Sequence, residues 1–125
     1  MNKIAAIILA RKGSKGLKNK NIKILRKKEL IFWPINAAKN SKYVDDVIVS
    51  TDCPKIMKIS KSFGANAPFL RPKKFARDKS TSFDAIKHCF DFFKEKKIFY
   101  KYFVLLEPTS PLTSNIDIDK AFKKF

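Results

Sequence analysis

The chain has 125 residues, one domain by length and enough to bury a core, and its apolar share of 45% excludes a disordered chain. Lys and Arg number 28 against 11 Asp and Glu, a net charge of +17. Most of these cations are lysines scattered along a chain also rich in Asn, Ile and Phe, so the charge reads as compositional and nucleic-acid binding is set aside as the main function.

Residues 4–10, IAAIILA, form a continuous apolar run that predicts a buried strand. The run ends at Arg11, too soon for a signal peptide, and no run is long enough to span a membrane. A cytoplasmic protein with no membrane partner is expected. The loop that follows holds Gly13, Gly16, Ser14 and the cations Arg11, Lys12, Lys15, Lys18 and Lys20. Glycines let backbone N–H groups approach an anion and lysines neutralise it, so the loop suits phosphate. Residues 22–28 are short, mixed and basic, with no element assigned.

Residues 30–38 predict a helix with an apolar stripe at Ile31, Ile35 and Ala38, starting near Trp33 because Pro34 is tolerable only in a first turn. Residues 47–49 predict a buried strand. Asp52 is the expected cap of a second helix, with Pro54 in its first turn, Ile56, Ile59, Ser60 and Phe63 on one face, and Gly64 as its stop. Residues 67–70 offer a short strand that Pro68 weakens. Ser80, Thr81 and Ser82 open a helix with Phe83, Ile86, Phe90 and Phe93 on one side, beside Ala85 and Cys89. Residues 102–106 predict another buried strand, closed by the turn Glu107-Pro108-Thr109-Ser110-Pro111, and a last helix begins at Asp117. Apolar strands alternating with helices are the signature of an α/β fold: a three-layer α/β/α arrangement around a mostly parallel sheet. In such sheets ligands lie beyond the carboxyl ends of the strands, where residues 11–21, 50–52 and 107–110 should gather.

The glycine loop fits neither the Walker A nor the GxGxxG spacing, and no HExxH or GxSxG occurs. His88 reads as a packed helix residue. Cys53 and Cys89 lack metal or CxxC spacing and read as free thiols; no metal ligands are assigned.

Taken together, four segments resemble the acylneuraminate cytidylyltransferases (CMP-N-acetylneuraminic acid synthetases). Residues 10–16, ARKGSKG, with Lys20-Asn21, are similar to that family's ARGGSKG…KN signature. Val49-Ser50-Thr51-Asp52 is similar to its VSTD. Phe69-Leu70-Arg71-Pro72, with Asp78, Ser80 and Ser82, is similar to its FLRP…D.S.S stretch, and residues 105–112, LLEPTSPL, to its LLQPTSPL. The resemblance covers the whole chain in order. It implies a Rossmann-like nucleotide-diphospho-sugar transferase fold, truncated. Residues 1–125 would then be the N-terminal, CTP-binding part of a cytidylyltransferase domain whose second half is absent.

The implied reaction is transfer of CMP from CTP to a nonulosonic acid, a nine-carbon keto-sugar acid such as N-acetylneuraminate, with release of pyrophosphate. Close relatives activate legionaminic or pseudaminic acid instead. Magnesium is the implied cofactor and a homodimer the implied assembly; the acidic Asp-x-Asp pair for the metal and the dimerisation element belong to the missing half. The implied catalytic residues are Lys20 and Arg11. Arg11, Ser14, Lys15, Lys20, Asn21, Arg71, Ser80 and Ser82 would bind the nucleotide, and Glu107 and Ser110 the sugar. Three residues depart from the pattern: Glu107 replaces a glutamine, Thr113 an arginine and Lys12 a glycine. The first two, with the missing half, leave open a nucleotide-binding remnant without turnover. A basic polyanion-binding module is the reading that rests on charge alone.

Overall fold

The computed structural model describes residues 3–10, 24–25, 28–29, 31–72, 82–106 and 115–123. Its centre is β1 (Ile4–Leu9), hydrogen-bonded on one side to β4 (Asp46–Ser50) and on the other to β5 (Tyr102–Leu106), both parallel to it. Between β1 and β4 the chain forms a two-stranded antiparallel ribbon, β2 (Ile24–Leu25) with β3 (Lys28–Glu29), and then α1 (Phe32–Lys39). Between β4 and β5 come α2 (Pro54–Ser62) and α3 (Ser82–Glu95), and α4 (Asn115–Lys123) follows β5.

A central parallel strand has no solvent face, which is why β1 is apolar throughout instead of alternating. Successive side chains serve opposite layers. Ala6 and Ile8, with Val47 and Val49, pack against Ile35 and Ala38 of α1, Ile56 of α2 and Ile118 of α4. Ala5, Ile7 and Leu9, with Ile48, pack against Ala85, Cys89 and Phe93 of α3. The two cores make the fold α/β with three layers, as the sequence predicts. Ile7 and Ile8 are fully buried, and each side chain contributes about 1.5–3 kcal/mol of transfer free energy.

Local details refine the sequence reading. In α1, Pro34 is the third residue, where no intrahelical N–H bond is lost. The cap of α2 is Cys53 and not Asp52: Cys53 has the extended backbone of an N-cap (φ −111°, ψ 119°), and Pro54 already stands at the first helical position. Gly64 does end this turn of chain, at φ 91°. Residues 67–70 do not form a strand. They run beside β4 and touch it at two isolated bridges, Ile48 with Asn66 and Thr51 with Leu70. Pro68 lies between them and has no N–H to continue the ladder.

Two expectations about apolar faces are corrected. The buried stripe of α3 is Ala85, Cys89 and Phe93; Phe83 is 70% exposed and Phe90 also faces outward. The aromatic spacing marked a face, but the small residues one position away are those that fit against the close-packed sheet. Nor is β5 buried along its length: Tyr102 and Phe103 are exposed, because among the described residues β5 has a sheet neighbour on one side alone. Finally, α4 begins at Asn115, two residues before the predicted Asp117, and Asp119 ties it to the turn after α1 by accepting from the Ser41 hydroxyl and the Lys42 N–H at 2.5 and 2.9 Å.

Candidate functional site at the carboxyl edge of the sheet

The strand order β4-β1-β5 means that the chain leaves β1 for one side of the sheet and later crosses to the other. The carboxyl end of β1 is therefore the topological switch point, where open α/β sheets form their ligand crevice. The registers Leu9 with Ser50 and Ile8 with Leu106 bring the three strand ends level. The Ala10 N–H donates to the Ser50 carbonyl at 2.9 Å, so the carboxyl end of β1 is held directly beside Ser50.

Arg71 reaches the same point from the far side of β4. Its backbone N–H donates to the Thr51 carbonyl (2.7 Å), its Nε donates to Ser50 Oγ (3.0 Å) and one terminal nitrogen donates to the Ser50 carbonyl (2.7 Å). That carbonyl thus accepts from both Ala10 and Arg71, using both lone pairs. Arg71 as a whole is only 6% exposed. A permanently charged group at that depth demands oriented acceptors, which the strand end supplies. In the α3 layer, Cys89 is fully buried in the core that holds Leu9 and Ile48. Burial pushes the Cys89 thiol up to about 11, opposed by the hydrogen bond from Ser50 and the charge of Arg71. Ser50 and Thr51 are themselves fully buried, and the Thr51 hydroxyl accepts from the Cys53 N–H at 3.1 Å, shaping the turn into α2.

Of the sequence-predicted site residues, the structure describes Arg71 in full and Ser82 as the first residue of α3. Arg11, Ser14, Lys15, Lys20, Asn21, Ser80, Glu107 and Ser110 lie outside the described residues. Sequence reasoning placed Ser50 in the VSTD segment at the expected ligand edge and read Cys89 as a free thiol, but gave neither a role in the site. The available signal was position: Ser50 is the last residue of an apolar strand, where a small hydroxyl is buried with nothing local to satisfy it. His88 is half-buried, its ring edge-on to Phe69 at 4.6 Å, as expected of a packed helix residue. Both cysteines are free and buried.

A second concavity, of about 390 Å³, lies away from this edge, lined by Ile48, Asn66, Pro68, Phe92, Ile98 and Tyr100. Beside it Tyr100 donates to Asp46 Oδ2 at 2.7 Å; burial and that carboxylate hold the phenol well above its ordinary value. Among the described residues no group of three or more His, Cys, Asp or Glu side chains is placed to hold a metal ion. No helix among the described residues is long and apolar enough to cross a membrane.

Fold and site together define an open, parallel α/β domain with a ligand edge built from the ends of β1 and β4 and the residues flanking them. Residues 5–125 match the family model described as cytidylyltransferase, and the chain belongs to that family. It is 43% identical over 123 residues to the N-acylneuraminate cytidylyltransferase of Escherichia coli, an alignment covering 98% of this chain and 28% of that protein. It is 37% identical over 109 residues to the CMP-N,N'-diacetyllegionaminic acid synthase of Legionella pneumophila, covering 87% and 47% respectively. A CMP:2-keto-3-deoxy-manno-octonic acid synthetase solved in complex with CTP superposes with a TM-score of 0.81 at 21% identity, covering 98% of this chain and 47% of that one. At that identity the likeness speaks for the fold. The chain spans about half or less of the length of these relatives.

Proposed function

We propose that this chain is the CTP-binding part of a cytidylyltransferase that transfers CMP from CTP to a nonulosonic acid and releases pyrophosphate. The observation that carries the reading is the meeting of two motif segments at one strand end. The loop beginning at Arg11 leaves β1 where Ala10 and Arg71 share the Ser50 carbonyl. The substrate class follows from the names borne by the relatives, which act on N-acylneuraminate and on diacetyllegionaminic acid.

In this reading the anomeric hydroxyl of the sugar acid attacks the α-phosphorus of CTP. It gives up its proton as the new O–P bond forms, and the P–O bond to pyrophosphate breaks. Such transfers need positioning and charge neutralisation more than covalent help. Arg11, Lys15 and Lys20 supply cations against the charge that builds on the departing pyrophosphate. Gly13 and Gly16 admit close backbone approach, and Ser14 and Asn21 donate to the nucleotide. Arg71, Ser80 and Ser82 frame the cytidine. Glu107 and Ser110 face the sugar. Magnesium bound with CTP would neutralise phosphate charge; its protein ligands are assigned to no residue of this chain. The two free, buried thiols and the CTP requirement favour work in the cytoplasm, and a homodimer is the assembly that the resemblance implies.

The test is pyrophosphate release with CTP, magnesium and a panel of nonulosonic acids, alongside CTP-dependent thermal stabilisation. Release with one sugar acid establishes the activity and names the substrate. Stabilisation by CTP with no release for any sugar refutes turnover by this chain and leaves a nucleotide-binding piece. Within the loop, Arg11→Ala and Lys20→Ala should each weaken CTP binding about tenfold or more and Lys18→Ala less than about twofold, since hydrogen bonds to charged groups are worth roughly 1.5–3 kcal/mol. Equal and small effects from all three would make the loop a solvated turn.

A further inference from the structure

We infer that Ser50 is a positioning residue for the nucleotide site: its hydroxyl and carbonyl together fix the guanidinium plane of Arg71. The inference rests on the reading that Arg71 and Ser82 frame the cytidine.

A hydroxyl has one proton and two lone pairs. Ser50 Oγ accepts from Arg71 Nε at 3.0 Å. The Ser50 carbonyl accepts from a terminal nitrogen of the same guanidinium at 2.7 Å. Two acceptors on one residue thus engage two nitrogens along one edge of a planar group, which removes its freedom to rotate about the side-chain axis. Because Ser50 is the last residue of β4 and is itself held by the Ala10 N–H, the reference frame for Arg71 is the sheet and not a loop.

The experiment titrates the chain with CTP and magnesium by calorimetry, together with a ¹⁵N spectrum of arginine Nε–H groups. In wild type the Arg71 Nε–H should give a slowly exchanging resonance. Ser50→Ala should abolish that protection and weaken CTP about tenfold, the worth of a hydrogen bond to a charged group. Ser50→Thr, which keeps the acceptor, should restore both. Should Ser50→Ala fail to fold, Arg71→Lys carries the test, since lysine keeps the charge and lacks the Nε–H; it should lose CTP affinity to the same extent. CTP binding unchanged in Ser50→Ala or in Arg71→Lys, while Arg71→Ala loses it, overturns the positioning role alone. A wild-type chain with no affinity for CTP overturns the nucleotide-site reading beneath it.

Discussion

The thiol of Cys89 offers a direct measure of how dry the junction beneath the proposed site is. The residue is fully buried, and burial raises its thiol from 9.0 to about 11 despite the Ser50 hydrogen bond and the Arg71 charge. A folded value above the unfolded one means that the native chain holds the proton more tightly. The stability linked to it is fully present below about pH 9 and is lost as pH rises from there through about 11. At about 1.4 kcal/mol for each pH unit, the loss is about 3 kcal/mol. Urea unfolding of wild type and Cys89→Ala at a series of pH values from about 8 to about 11.5 isolates it. The packing lost in the variant is independent of pH, and the lysines and tyrosines titrate in both chains. The stability advantage of wild type over Cys89→Ala should therefore shrink by about 3 kcal/mol across that range. A constant difference would refute the argument and show that water reaches the sulfur.

Gly64→Ala should destabilise the chain by about 1–2 kcal/mol, read as a shift of the urea midpoint. The cost is the positive φ of 91°, because the crowding an added Cβ would meet is the movable tip of Lys39. Phe90 and Phe103 stack edge to face at 5.1 Å on an exposed surface. Contiguous apolar surface of this kind drives association. Wild type should therefore scatter light increasingly with concentration, and the Phe90→Lys, Phe103→Lys double variant should not. Equal scattering by the two would place the sticky surface elsewhere.

Much of this fold is legible because parallel strands buried on both faces leave an unmistakable trace. The IAAIILA and VIV runs become β1 and β4 within a residue of their predicted ends. What sequence reading misjudged shares one cause, that local spacing does not say which neighbour is present. The aromatic side of α3 looked like the buried one, yet the sheet accepts Ala85 and Cys89 and turns Phe83 outward. The run at residues 102–106 looked uniformly buried, yet burial of a strand depends on having a partner at each edge, and among the described residues β5 has one. At the site, both Arg71 and Ser50 were legible through their motifs, whereas the bonding between them was not, because it joins residues 21 positions apart.

Ser50 also explains why a motif segment of plain appearance belongs with the loop that follows β1. Two conditions must hold at a switch point for a bound nucleotide to be held in one pose. The strands that flank the crevice must not slide, and the cation that reaches across must not swing. The Ala10 N–H locks β1 to β4 at the Ser50 carbonyl, and Arg71 closes on the same oxygen from the other side. Sliding β4 by one residue would break both bonds at once and turn every inward side chain of the strand to the opposite layer. Register and guanidinium orientation are therefore one constraint at this strand end.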